Sequence, residues 1–179
     1  AKAAYADLMA AAHADAVHGA EICRDLQDRL VMIARVSDAG AFVNTNALTL
    51  KRSHGDYSVM QLLYDGSEIK AVLDFVNAGE VPIAWELIRS YSYMDCTFNA
   101  ARLAAYTNEY RRYAEVSMDD LRYMPYLYLG QLLSSTYGYK QYLQTGDEEL
   151  LAFGRWRTEM CRYLIANAGE VSAELVRLA

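Results

Sequence analysis

Ser53-His54-Gly55-Asp56-Tyr57-Ser58-Val59-Met60-Gln61 is the stretch around which this chain is built. It places an amide side chain, Gln61, five positions after Asp56, and a second carboxylate, Asp74, eighteen positions after Asp56. Two short apolar runs separate Gln61 from Asp74, and Asp65-Gly66 stands between the runs. This pattern predicts a β-hairpin with a polar side chain at each end.

These oxygen-bearing side chains suit phosphoryl transfer. That reaction needs a carboxylate that orients a hydroxyl and accepts its proton, and oxygen ligands that hold Mg²⁺ against the nucleotide phosphates. Asp56 is predicted to be the base, and Gln61 and Asp74 are predicted to be the metal ligands. His54 is predicted to act from behind Asp56, and Gly55 to permit a tight backbone turn beside it.

The same residues resemble a known family. His54-Gly55-Asp56, the amide at Gln61 and the later Asp74 are similar to the catalytic loop and metal-binding aspartate of the aminoglycoside phosphotransferase and choline kinase family, whose fold is similar to that of protein kinases. The family pattern is His-Gly-Asp, four residues, Asn, and then an Asp after the hairpin. Here Gln61 stands at the Asn position and is one methylene longer.

The resemblance implies several further properties. Glu86, early in the next helix, would support the loop that carries Asp56. Mg²⁺ would be the cofactor, and ATP or GTP the co-substrate. Residues 1–179 would form a single domain, the C-terminal catalytic and substrate-binding lobe of a protein-kinase-like fold.

The rest of the sequence predicts a mainly α fold with one small β-hairpin. Apolar residues at spacings of three and four draw one stripe along the segment 17–36, namely Cys23, Leu26, Leu30 and Ile33. Ser117 is predicted to cap a helix that ends or kinks near Tyr123, because Pro125 follows. A short strand is expected at 48–50. The other predicted helices cover 1–16, 83–94, 100–114, 117–126, 126–142, 147–166 and 172–178.

Kinases of this kind also need a small β-rich lobe, with a loop over the phosphates and a lysine for the nucleotide. The residues before position 50 have helical patterns and no glycine-rich turn. We therefore expect the N-terminal nucleotide-binding lobe to be missing from this chain and to act as its partner.

Composition excludes some classes of partner. A net charge of −6 and a pI near 5.1 argue against a nucleic-acid binder with a basic face, and mildly favour a cationic acceptor. Four acidic side chains either recognise amines or form a solvated face: Asp95, Glu115, Asp119 and Asp120.

No apolar run is long enough to span a membrane. Three cysteines without paired spacing, Cys23, Cys96 and Cys161, predict core residues in a reducing, cytoplasmic setting.

Other readings stay open at this level. The phosphate acceptor is a small-molecule hydroxyl compound that the sequence does not identify. The chain is alternatively a non-catalytic binding module that keeps a kinase-like shape without a nucleotide clamp. A purely helical structural protein is the third reading, and it leaves the hairpin and the spaced polar residues as coincidence. Most of the fifteen tyrosines are expected at helix contacts rather than in a substrate wall.

Overall fold

A computed structural model of the protein describes residues 2–38, 43–94 and 99–179. Over these residues the chain is mainly helical, which confirms the predicted class, and it carries two small antiparallel sheets rather than a hairpin alone. The helices are α1 (Lys2–Ala12), α2 (Gly19–Asp38), α3 (Ile83–Met94), α4 (Ala100–Arg111), α5 (Met118–Ser134), α6 (Tyr139–Thr145) and α7 (Glu148–Leu178). The strands are β1 (Leu50–Ser53), β2 (Leu62–Asp65), β3 (Glu68–Val72) and β4 (Gly79–Pro82).

The chain groups into two compact units. The first contains residues 1–42 and 129–167, and the second contains residues 43–128 and 168–179. Every residue predicted for the site belongs to the second unit. The assignment of residues 1–179 to a single domain stays a prediction.

The first unit is built on a core between helices. The predicted stripe of α2 is confirmed, because Cys23 and Leu26 are buried and Leu30 and Ile33 pack against the same cluster. A hydrogen bond also connects α1 with α5, because the Tyr5 hydroxyl donates to the Leu133 carbonyl oxygen at 2.6 Å. The other buried members of this cluster are Tyr5, Leu8, Ala12, Ile22, Tyr139, Tyr142 and Leu151.

The second unit contains both sheets. The hairpin of β2 and β3 forms as predicted, with Leu62 opposite Val72. The strand expected at 48–50 lies later, at β1, and it pairs with β4, a strand that was not predicted. The β1–β4 register sets Ser53 opposite Gly79. This pairing fixes where the chain leaves β1 and where it enters α3.

Helix α5 excludes one of the two outcomes predicted for Pro125, a helix end near Tyr123. The helix does not end near Tyr123 but continues through Pro125 to Ser134. A proline inside a helix costs about 3 kcal/mol because it removes a backbone hydrogen bond. A buried stripe on this helix outweighs that loss, since tertiary packing supplies most helical stability. Its members are Leu121, Met124, Tyr128 and Leu132.

The cap predicted for α5 is confirmed, and it removes one acidic candidate. The Ser117 hydroxyl accepts a hydrogen bond from the Asp120 amide at 3.0 Å, and the Asp120 carboxylate accepts from the Ser117 amide at 2.8 Å. Asp120 also accepts from the Thr49 amide at 2.9 Å and is fully buried. It is therefore neither an amine-binding residue nor part of a solvated face. Asp119 pairs with Arg122, and Asp95 lies outside the described residues.

Two further helix boundaries differ from the predictions. The predicted helix 126–142 is interrupted before α6. Gly138 has a φ of +95°, which lies outside the helical range, and a Cβ atom on Gly138 would lie 2.8 Å from the Gly154 Cα. The predicted segments 147–166 and 172–178 form one helix, α7. Leu164, Ala168, Val171 and Leu175 continue one buried stripe along it, which offsets the modest cost of Gly169.

Two of the three cysteines lie in the described part of the chain. Cys23 and Cys161 are buried and free, as expected of core residues, and Cys96 lies outside the described residues. Burial raises the pKa of the Cys161 thiol. Within the part of the chain that the structure describes, no helix has the length and hydropathy needed to cross a membrane.

Candidate functional site

The site begins where β1 ends. Residues 54–57, hereafter the 54–57 loop, follow β1 directly, and α3 follows β4 directly. In the antiparallel β1–β4 pair Ser53 lies opposite Gly79 and Leu50 lies opposite Pro82, so the loop and α3 leave the sheet at opposite ends. Helix α3 contacts both strands and thereby comes back towards the loop. Pro82, the last residue of β4, has the fixed φ that suits entry into a helix.

Glu86 on α3 binds the backbone of the 54–57 loop. Its Oε2 accepts a hydrogen bond from the Gly55 amide at 3.0 Å, and its Oε1 accepts from the Tyr57 amide at 2.9 Å. The side chain is buried. Hydrogen bonds to a carboxylate are stronger than neutral ones, so both bonds constrain the backbone on either side of Asp56. The structure thus places Glu86 against the loop that the family resemblance implied it would support.

Gly55 occupies a position that no other residue fits. Its φ is +78°, a conformation that side chains with a Cβ disfavour. A Cβ atom there would also lie 2.0 Å from the Asn77 carbonyl oxygen. The 54–57 loop therefore packs directly against the segment that follows Asp74.

His54 joins the loop to the residue before Asp74. Its Nε2 lies 2.5 Å from the Leu73 carbonyl oxygen, and since a carbonyl can only accept, Nε2 carries the proton and donates it. The ring is buried and packs against Phe75, with ring centroids 4.6 Å apart. The structure therefore places the buried ring of His54 against the base of the hairpin, two positions before Asp56 in the chain. His54 does not lie on the exposed surface where Asp74 lies.

Asp56 forms an ion pair with Arg89 of α3. The Arg89 guanidinium also lies over the Trp85 ring, 5.5 Å from its centroid. Arg89 was not among the predicted site residues. A signal was present, because Arg89 stands three positions after Glu86, and residues at that spacing share one face of a helix.

The hairpin brings the two predicted metal ligands to one end. Gln61 closes a single 3₁₀ turn before β2, and its carbonyl oxygen accepts from the Leu73 amide at 2.8 Å. Asp74 follows Leu73 immediately, so both residues lie at the base of the hairpin. Asp74 is exposed, and it precedes the turn Phe75–Asn77 as its N-cap residue, but its side chain accepts no capping hydrogen bond from that turn.

The backbone of Asp74 is unusual. Its φ and ψ are 61° and 62°, and it is the one non-glycine residue with positive φ in the described part of the chain. A left-handed conformation costs a residue with a side chain about 1–2 kcal/mol, although aspartate tolerates it better than most. Such strain is concentrated at functional sites.

The donor set fits a hard cation that nucleotide phosphates help to bind. An amide oxygen and a carboxylate oxygen are ligands that Mg²⁺ accepts, and this ion keeps water and phosphate ligands besides. No group of three or more His, Cys, Asp or Glu side chains that could hold a metal occurs among residues 2–38, 43–94 and 99–179. The pair Gln61 and Asp74 would not form such a group, since one member is an amide.

Three tyrosines lie in the loop or near α3, namely Tyr57, Tyr106 and Tyr110. Burial raises the pKa of the Tyr57 hydroxyl. Burial raises the pKa of Tyr110 as well, with a smaller contribution from the Glu86 carboxylate. Both hydroxyls are therefore neutral near pH 7. The Tyr106 hydroxyl hydrogen-bonds the Ser90 hydroxyl of α3 at 2.8 Å.

One family model matches this chain. It is the model of the phosphotransferase enzyme family, APH, and it matches residues 5–116. That span contains the 54–57 loop, the hairpin and Glu86. No match was found among curated proteins or among solved structures. The matched span covers more than half of the chain, and on this basis the chain belongs to the phosphotransferase enzyme family, a branch of the kinase-like superfamily.

Proposed function

We propose that this protein transfers the γ-phosphoryl group of ATP or GTP to a hydroxyl of a small molecule. The observation that carries the proposal is the pair of hydrogen bonds from the Gly55 and Tyr57 amides to Glu86. They fix the backbone on both sides of Asp56, so its carboxylate is presented on a preorganised loop. A base held in this way meets the acceptor hydroxyl without first losing conformational freedom.

Each predicted residue has a role in the proposal. Asp56 accepts the proton as the acceptor oxygen bonds to the γ-phosphorus and the bond to the nucleoside diphosphate breaks. Gln61 and Asp74 hold Mg²⁺, which neutralises phosphate charge when it is bound. His54 ties the loop to the hairpin base through Leu73. Glu86 and Gly55 fix the loop.

We also propose that the chain corresponds to the C-terminal lobe of a kinase-like fold and works with a nucleotide-binding lobe. Four apolar side chains near the hairpin are each more than half exposed, namely Leu63, Ile69, Phe75 and Val76. A grouped set of exposed apolar residues is typical of a surface that a partner covers. A nucleotide-dependent kinase also fits the predicted cytoplasmic location, and the acidic charge supports a cationic acceptor.

The test uses the complete protein with γ-labelled ATP, Mg²⁺ and a panel of small hydroxyl compounds, both amines and neutral ones. Asp56→Asn is expected to abolish transfer and to leave the fold intact, which a cooperative thermal unfolding transition would show. Asp65→Asn, the same chemical change at the exposed hairpin turn, is the matched control and is expected to retain transfer. Unchanged turnover in Asp56→Asn contradicts the proposal. No observation favours the alternative of a non-catalytic binding module.

A further inference from the structure

The ion pair between Arg89 and Asp56 connects α3 to the side chain that the proposed function makes the base. Resting on that function, we propose that Arg89 is a positioning residue: its guanidinium holds Oδ1 of Asp56 so that Oδ2 faces the acceptor hydroxyl. Glu86 would then fix the backbone of the 54–57 loop, and Arg89 would fix the orientation of its carboxylate.

The surroundings of Arg89 favour a fixed guanidinium. Its side chain is 13% exposed and that of Asp56 is 23% exposed, so solvent screens this pair less than one at the open surface. The Trp85 ring lies 5.5 Å from the guanidinium carbon, and an indole face attracts a cation. The guanidinium is thus held by a carboxylate and an aromatic ring at once.

The place of Arg89 on α3 also favours a positioning role. Glu86 and Arg89 stand three residues apart on one rigid helix, and both act on the 54–57 loop. A base must be held close to its productive geometry, and groups on helices are held more firmly than groups on loops. Helix α3 therefore supplies the rigidity that the loop itself lacks.

The pair has a chemical consequence in the transfer step. Before the step Asp56 must be ionised, and Arg89 places a cation beside its carboxylate. In the step, the acceptor O–H proton passes to Oδ2, the acceptor oxygen bonds to the γ-phosphorus, and the nucleoside diphosphate leaves with the electrons of the broken bond. Arg89 holds Oδ1 during the step and takes no proton itself.

The experiment compares Arg89→Met, Arg89→Lys, Asp56→Asn and the wild type in the complete protein. The probe is MgATP hydrolysis with water as the acceptor, measured as kcat and KM at neutral pH. Arg112→Met is the matched control, since Arg112 pairs with Glu109 at the exposed surface of α4 and its loss changes the net charge equally.

Arg89→Met is expected to lower kcat by about tenfold to a hundredfold, the usual cost of a misplaced reacting group, with the KM for MgATP unchanged. Arg89→Lys is expected to restore only part of kcat, because an ammonium keeps the charge but not the planar fork.

A kcat that matches that of Arg112→Met would overturn the proposal, since a purely structural pair changes stability alone. Asp56→Asn separates this failure from that of the proposed function. If Asp56→Asn hydrolyses MgATP like the wild type, the function is wrong. If Asp56→Asn is inactive and Arg89→Met behaves as the control does, only the positioning role is wrong. Should Arg89→Met not fold, Arg89→Gln, which keeps an N–H donor without the charge, is judged by the same criteria.

Discussion

The carbonyl oxygen of Asn77 lies 2.0 Å from the point that a Cβ atom on Gly55 would occupy. The loop that presents Asp56 and the turn that follows Asp74 are therefore in direct backbone contact. The base and one metal ligand of the proposed mechanism share a support at this contact.

Gly55→Ala is expected to destabilise the protein and to abolish transfer. The methyl group would have to displace the backbone of Asn77, and the φ of +78° adds strain of about 1–2 kcal/mol. The free energy of unfolding, measured by urea titration, is expected to fall by more than that strain alone.

Gly66→Ala separates strain from contact. Gly66 also has positive φ, at +59°, but no heavy atom lies within 4 Å of its Cβ position. Its alanine variant is expected to lose only the strain energy and to keep transfer. Equal losses in the two variants would contradict a role for the Asn77 contact.

Glu86→Gln is expected to lower both stability and transfer. The amide group would set an N–H donor against the amide of Gly55 or Tyr57, and leaving a buried donor without an acceptor costs about 1–3 kcal/mol. Urea unfolding and kcat measure the two effects. Glu80→Gln, at an exposed position of β4, is the control, and a loss of equal size there would argue against the two hydrogen bonds as the cause.

Asp74→Asn is expected to separate stability from metal binding. Asparagine adopts the left-handed conformation at least as readily as aspartate, so the unfolding free energy is expected to stay within about 0.5 kcal/mol of the wild type. The neutral side chain is a weaker ligand for Mg²⁺. Isothermal titration with ATP is expected to show that Mg²⁺ no longer strengthens nucleotide binding; a wild-type magnesium dependence would exclude Asp74 as a ligand.

Asp15 gives a pH-dependent prediction in the first unit. Its pKa is lowered chiefly by the hydrogen bond from the His18 amide, at 2.7 Å, and next by the bond from the Tyr142 hydroxyl, at 2.9 Å. A carboxyl group with a lowered folded-state pKa stabilises the fold above its unfolded value, about 3.9, and loses that effect as the pH falls through the folded value.

Asp15→Asn should therefore unfold at a lower temperature than the wild type near pH 7, and the gap should close as the pH is lowered below about 4. Differential scanning calorimetry at several pH values measures this gap. Asp7→Asn, on an exposed part of α1, removes an equal charge and should leave no comparable gap. A gap for Asp15→Asn that persists at low pH would contradict the assignment.

Much of the fold was predictable because its signals are local. A few neighbouring residues predicted each of three features. Asp65-Gly66 predicted the hairpin, Pro82 predicted the start of α3, and Ser117 predicted the cap of α5. The prediction failed where distant packing overrode a local signal. Pro125 marks a helix end by local chemistry, yet it lies inside α5, whose buried stripe continues past it. The predicted gap between residues 166 and 172 likewise lies inside α7.

The sequence by itself determined which chemical groups stand at the site and in what order, because the loop, the hairpin and the second aspartate lie within one short stretch. Only the tertiary structure decided how those groups are held. Strand β4 pairs with β1, Glu86 binds amides 31 and 29 positions earlier, and Arg89 reaches Asp56. Turn chemistry and helical periodicity act between near neighbours, whereas these contacts form only once the burial of α3 has brought distant backbone segments together.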